Sequence, residues 1–179
     1  MTFYEKLGGG GVAVLGGVSV GGSDLMAADI AKMDAIPSAA YPVVSASLTF
    51  TETTGAGTYT GSVAVPAGAD ILDIIVQSTV LWTASSSATL KVGDVAVDDG
   101  WYTGVNLKAT DLLVGEDLSF EHPGGKAGSY LASEARTRYS ASARVISAVV
   151  TTVGASGSAG RTRVTVVYSM STDVAATKA

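Results

Sequence analysis

From residue 43 onward the chain alternates. Val44, Ala46, Leu48 and Phe50 take one parity, and Ser45, Ser47, Thr49 and Thr51 take the other. A period of two predicts a half-buried strand over 43–53. Gly55-Ala56-Gly57 reads as a turn, and 58–65 returns as a second strand. Pro66-Ala67-Gly68 is the next turn, because Pro presets φ and Gly permits the positive φ that often follows. The run 71–81 is β-branched except for Asp73 and Gln77-Ser78-Thr79, the composition of a strand covered on both faces or nearly so. Ala84-Ser85-Ser86 connects it to a strand over 87–92. Residues 93–135 are irregular and Gly-rich, with only short strands or turns expected around 94–97 and 118–121. Two long strands close the chain. In 137–153, Tyr139, Ala141, Ala143 and Val145 share a face; in 161–170, Val164, Val166, Tyr168 and Met170 do. The Gly/Ser/Ala stretch 154–160 joins them, which predicts an antiparallel hairpin. Seven or eight strands joined by turns predict an all-β protein, an antiparallel β-sandwich or jelly roll over 43–171. No repeat of 20–50 residues is visible.

The first 42 residues follow another pattern. Eight of the 22 glycines fall within residues 1–22, interleaved with Val12, Val14, Leu15, Val18 and Val20. Such a segment loses too much backbone entropy to fold alone, yet is too apolar for an ordinary solvated linker. A signal peptide is the first rival, but Glu5 stands beside Lys6 and glycine dilutes the apolar stretch. The stretch does not supply the roughly 20 strongly apolar residues of a membrane span. Nor do its glycines lead into a Lys-Ser/Thr helix start that would cradle phosphate. The expectation is an N-terminal Gly-rich arm over 1–42 that orders against another subunit; the alternative is a disordered or locally tucked tail. Within it, Ser23 and Asp24 can cap one short helix over about 23–35. Met26, Ile30 and Met33 form its single apolar stripe, and Pro37 and Pro42 end it. The stripe has to dock, either on the chain's own domain or on a neighbour. Residues 172–179 are a C-terminal tail.

Composition adds one fact. Hydrophobic residues make up 47% of the chain and charged residues only 15%, against about 25% in an ordinary soluble protein. Part of the surface is therefore expected to be covered by a partner. The net charge of −5, with no block of basic residues, excludes binding by phosphate neutralisation, so no nucleic acid partner is expected. No membrane partner is expected either. Without cysteine there is neither a disulfide nor a thiolate metal site.

Candidate chemistry is sparse. His122 is the sole histidine and precedes a Pro-Gly-Gly turn, so a nucleophile has no base and zinc has no ligand cluster. Asp94, Asp98, Asp99, Glu116, Asp117, Glu121 and Glu134 all fall in expected loops, where acidic residues prefer water. Asp94, Asp98 and Asp99 offer hard oxygens for calcium, but without the EF-hand spacing a polar turn is the simpler reading. Trp101, Tyr102 and Tyr130 offer a surface-recognition loop for a sugar or protein; aromatics capping the end of a sandwich core would look the same. No enzyme and no cofactor are expected.

Five stretches carry a resemblance: 65–73 (VPAGADILD), 87–94 (SATLKVGD), 99–102 (DGWY), 125–131 (GKAGSYL) and 160–168 (GRTRVTVVY). Together they resemble small structural proteins of tailed bacteriophages, especially β-rich head decoration or cement proteins. The resemblance covers about two thirds of the chain and leaves 1–42 unassigned. It implies a virion protein on the capsid surface, bound to the major capsid protein and often a homotrimer. The alternative from another class is a receptor- or glycan-binding module of a phage tail or fibre, which uses similar sandwiches. The two separate on the arm and on the loop aromatics: cementing depends on residues 1–36, glycan binding on Trp101 and Tyr102.

Overall fold

The computed structural model describes residues 43–132, 138–155 and 157–170. The expected helix over 23–35, the arm and the tail 172–179 lie outside these residues. The strands are β1 (Val43–Thr51), β2 (Thr58–Val65), β3 (Ala69–Val80), β4 (Ser87–Gly93), β5 (Tyr102–Asn106), β6 (Asp117–Leu118), β7 (Arg144–Val153) and β8 (Arg161–Met170). A single helical turn, α1 (Ser129–Ala132), lies between β6 and β7.

The strands make two antiparallel four-stranded sheets, ordered β1-β8-β3-β6 and β2-β7-β4-β5. The pairs β1:β8, β2:β7, β3:β6 and β4:β5 nest inside one another. That is the connectivity of a long antiparallel ribbon rolled on itself, the strand order of a jelly roll. It corrects the expected hairpin. β7 and β8 follow each other in sequence but belong to different sheets, so 154–160 is a crossing between layers and not a hairpin loop. The residues 52–57, 66–68 and 81–86 cross between the sheets in the same way.

Period-two burial builds the core. Phe50, Val63, Val65, Ile71, Ile74, Val76, Leu90, Val92, Ile146, Val150, Val164 and Val166 fill the space between the sheets. The two faces of β3 differ more than its composition suggests. Ile71, Ile74 and Val76 are buried, whereas Ile75 and Gln77 on the other face are only half-buried. A bulge sets this phase, with Leu72 exposed and the register shifted between Ile71 and Asp73. Asp73 Oδ1 holds it by accepting the N–H groups of Ile74 and Phe120 at 2.8 and 2.9 Å.

Other expectations shift at the edges of elements. The strand expected from 137 begins at Arg144, and its inward residues are Ile146, Ala148, Val150 and Thr152. Tyr139 and Val145, assigned to an apolar face, are exposed. Residues 94–97 are a turn, because Asp94 Oδ1 accepts the N–H groups of Ala96 and Val97 and closes it. β5, whose five residues lie in the stretch read as irregular, completes its sheet at the edge.

Candidate interaction surface

At the end of the sandwich where β4 turns into β5, the rings expected in a recognition loop lie inside. Trp101 and Tyr102 are both fully buried. Trp101 stacks on Phe120 at 5.1 Å and 13°, and Tyr130 meets it edge-on at 5.1 Å and 70°. The Arg138 and Arg144 guanidinium groups lie 4.9 Å from Phe120 and 5.8 Å from Trp101. Tyr102 donates its hydroxyl to the Ile74 carbonyl at 2.8 Å, and burial pushes its pKa far above the ordinary phenol range. Two of the stretches that carried the resemblance meet here. Tyr130 N–H donates to Gly100 O at 2.8 Å and Gly128 N–H to Trp101 O at 2.9 Å. A Cβ at Gly100 would lie 2.4 Å from the Tyr130 ring, so only glycine admits this approach. The recognition-loop reading is therefore corrected for Trp101 and Tyr102: the ring faces that would stack on a sugar pack against the protein's own core. Tyr130 is half-buried, its hydroxyl 3.0 Å from Asp94 Oδ1.

Several of the carboxylates are engaged locally, while Asp117 and Glu121 are exposed. Asp98 pairs with Lys91 at 3.4 Å, Asp99 accepts from the Thr103 hydroxyl at 2.9 Å, and Asp111 meets Lys126 at 3.0 Å. Glu116 accepts from the Leu113 N–H at 2.8 Å. Glu134 lies outside the described residues, and His122 is exposed. Among the described residues, no three of His, Cys, Asp and Glu are grouped to hold a metal ion.

At the opposite end one acid sits where no loop carboxylate was expected. Glu52 is 3% exposed. Its carboxylate accepts the Thr83 N–H at 2.9 Å, the Thr83 hydroxyl at 2.8 Å, the Ala84 N–H at 2.8 Å and the Gly160 N–H at 3.0 Å. Its own N–H donates to Gly160 O at 2.7 Å. Burial pushes its pKa up, but the donors from Thr83, Gly160 and Ala84 outweigh this and hold it below the usual glutamate range. Glu52 thus ties three of the crossings between the sheets at one corner. The sequence did carry a sign of it: Glu52 continues the inward parity of Val44, Ala46, Leu48 and Phe50.

One flank of the sandwich differs from both ends. Among the described residues β1 and β2 are the edges of their two sheets, and they lie on the same side of the sandwich. A Cβ built at Gly61 in β2 would stand 3.2 Å from both Leu48 and Phe50 in β1. Neither strand holds a charged residue or a proline, and each pairs with its inner neighbour without a register shift. Val44, Ala46, Leu48 and Tyr59 face the core but are only half-buried. The opposite flank is built differently. β6 has two residues and β5 has five, with a register shift in the β4:β5 pairing. Short strands, bulges and charges are how proteins keep an edge from pairing. One flank has these devices, and the β1/β2 flank lacks them.

The sequence-predicted partner-binding residues Val12, Val14, Leu15, Val18, Val20, Met26, Ile30 and Met33 lie outside the described residues. No family model matches the chain, and no curated protein matches it. Among solved structures, it is similar to a chain of the acidic stable capsid of Helicobacter pylori bacteriophage KHP30, at 17% identity and a TM-score of 0.45 over 73% of this chain and 89% of that one. It is similar to a chain of the cyanophage Pam1 capsid asymmetric unit, at 19% identity and a TM-score of 0.44 over 73% and 85%. It is also similar to a chain of the Ralstonia phage GP4 capsid, at 15% identity and a TM-score of 0.46 over 77% and 90%.

Proposed function

We propose that this chain is a non-enzymatic structural protein of a phage virion, a decoration or cement protein that sits on the capsid surface, binds the major capsid protein and self-associates. The observation that carries this reading is the β1/β2 flank: two long, regular, uncharged strands that are sheet edges among the described residues. A protein whose work is assembly needs surfaces of this kind and no reaction centre. The quoted stretches that resemble decoration proteins support the same reading. In it, the arm with Val12, Val14, Leu15, Val18 and Val20, and the stripe Met26, Ile30 and Met33, reach a neighbouring subunit.

The test adds the purified chain to shells of the cognate phage that lack it. The expected result is co-sedimentation with the shells and a higher temperature of shell disruption. Deleting residues 1–36 is expected to weaken attachment while the β-domain still melts cooperatively. A full-length chain that never sediments with shells would overturn the proposal. A truncated chain that attaches at full strength would remove the arm from it.

A further inference from the structure

We propose that the β1/β2 flank is the interface of a two-fold dimer: β1 pairs antiparallel with β1 of a second copy and β2 with β2, turning each four-stranded sheet into a continuous eight-stranded one. The inference rests on the flank alone and does not depend on the virion reading.

Self-pairing sets a demanding condition on sequence. Near a two-fold axis every residue faces itself or a close neighbour from the same strand, so any charge there meets its own sign. β1 (VVSASLTFT) and β2 (TYTGSVAV) meet this condition at every position. Their regular inner registers leave the outer hydrogen-bonding groups in the unbroken alternation that another antiparallel strand requires. Centred on Ser47, a β1:β1 pair brings Ala46 opposite Leu48 and Val44 opposite Phe50. Inward residues then meet inward residues, and the half-buried Val44, Ala46 and Leu48 become covered.

A single axis has to serve both edges at once, and the geometry provides for it. Ser47 is the middle residue of β1, and Gly61 lies at the middle of β2. Gly61 stands against the side chains of both Leu48 and Phe50. The middle of β2 therefore lies over the 48–50 stretch of β1, close to its midpoint, and one axis can pass near the middle of both edges. The size also suffices. Nine residues at strand rise by two stacked sheets give a footprint of roughly 30 by 20 Å, or about 600 Å² per protomer. Counted over both copies, that reaches the roughly 1,200 Å² at which specific interfaces begin.

The experiment uses the full chain and charge at the axis. Ser47 is exposed on the outer face of β1, so Ser47→Glu and Ser47→Lys are accommodated in the folded protein. Sedimentation and native mass measurement are expected to show a dimer for the unsubstituted chain at micromolar concentration. Each single variant, folded by circular dichroism, is expected to dimerise at least tenfold more weakly. An equimolar mixture of the two variants is expected to recover the dimer as a Glu/Lys heterodimer, because residue 47 faces its own copy only in this arrangement. With Gly61 on the axis, Ser62 faces Thr60 of the second copy, so charge at Ser62 is expected to weaken the dimer less than charge at Ser47. A monomer at tens of micromolar would overturn the proposal, including a monomer whose β1 amides are protected because the chain's own residues 7–22 occupy the edge. So would a trimer, which joins unlike surfaces around a ring, or a mixture that fails to recover.

Discussion

At one end of the sandwich a ring stack closes the core, and at the other a carboxylate does. The Trp101 end is sealed by area: Phe120 and Tyr130 pack on Trp101, whose indole N–H has no hydrogen-bond partner among the described residues. The Glu52 end is sealed by count: one 3% exposed carboxylate satisfies three backbone N–H groups and a hydroxyl. The difference follows from what each end has to hold. The first encloses a long irregular segment that can supply rings. The second gathers short crossings whose backbone N–H groups need an acceptor, since burial without one costs about 1–3 kcal/mol each. A ring stack resists pH, and a carboxylate staple does not.

The largest effect is expected from removing the ring stack. Trp101→Ala leaves a cavity under Phe120 and Tyr130 and is expected to cost about 4 kcal/mol, read from urea unfolding. Trp101→Phe keeps a ring on Phe120 and gives up the smaller part of the indole with its N–H, so it is expected to cost about half as much. Equal losses for the two variants would show that the indole N–H is satisfied in solution and that this end is not sealed by area alone.

Glu52→Gln is expected to cost about 3 kcal/mol, because an amide keeps one acceptor oxygen and turns an N–H₂ toward N–H donors. The pH dependence carries the sharper contrast. The folded pKa of Glu52 lies below the ordinary value of 4.5. Its stabilisation is therefore complete above that ordinary value and is lost as pH falls through the lower folded one. Melting of the unsubstituted chain is expected to fall as the pH drops below that ordinary value, with exchange first appearing at the amides of Thr83, Ala84 and Gly160. Glu52→Gln is expected to lack that component. If both proteins lose stability in parallel on acidification, another carboxylate sets the acid limit.

How much of this was legible in sequence depends on whether the cause is local. β1, β2, β4 and β8 announce themselves because one parity of each is apolar and the other is not. The pairing of β7 and β8 does not, because a glycine-rich connection of the length of 154–160 serves a hairpin or a crossing equally well. Only the nesting of all the strands decides between them. Trp101 and Tyr102 are aromatics beside a turn, which fits a recognition loop as well as a core cap. What buries them is the approach of Gly128 and Tyr130 from some 30 residues away, made possible by a glycine at 100. Glu52 was half legible: its parity pointed inward, but its donors come from 83, 84 and 160, and nothing local announces a meeting of that kind. The flank was legible as composition alone. The low charge of the chain is real, and the fold shows that two of its uncharged stretches are edges on one side.

Tyr130→Phe tests the polar fringe of the ring-stacked end. It keeps the edge-on contact with Trp101 and removes the 3.0 Å hydrogen bond to Asp94 Oδ1. That oxygen still holds the Ala96 and Val97 N–H groups at 2.9 and 3.0 Å. The expected loss is about 1 kcal/mol, the usual net worth of one such bond. A loss near that of Trp101→Ala would mean that the 94–97 turn is what seats Trp101.

The smallest effect is expected inside the Glu52 end, and its sign differs from the rest. Two hydroxyls face each other across the β3:β8 pair there, Ser78 and Thr162, both fully buried. Thr162 Oγ1 accepts from the Trp82 indole N–H at 2.8 Å, a bond that fixes the ring over the core. Ser78 Oγ is buried without a hydrogen-bond partner among the described residues. Its backbone is fully used, with N–H to Glu116 O at 3.2 Å and O from Gly115 N–H at 2.8 Å. Desolvating a hydroxyl that gains no partner works against folding, and removing it works for folding. Ser78→Ala deletes only that atom and leaves the strand pairing in place. It is expected to stabilise the chain by about 0.5–1 kcal/mol, whereas Thr162→Val, which orphans the indole N–H, is expected to destabilise it by about 1–2 kcal/mol. Chemical denaturation of the two variants in parallel reads the difference. If Ser78→Ala destabilises as well, the two hydroxyls share one network in solution, and the corner held by Glu52 extends inward as far as β3.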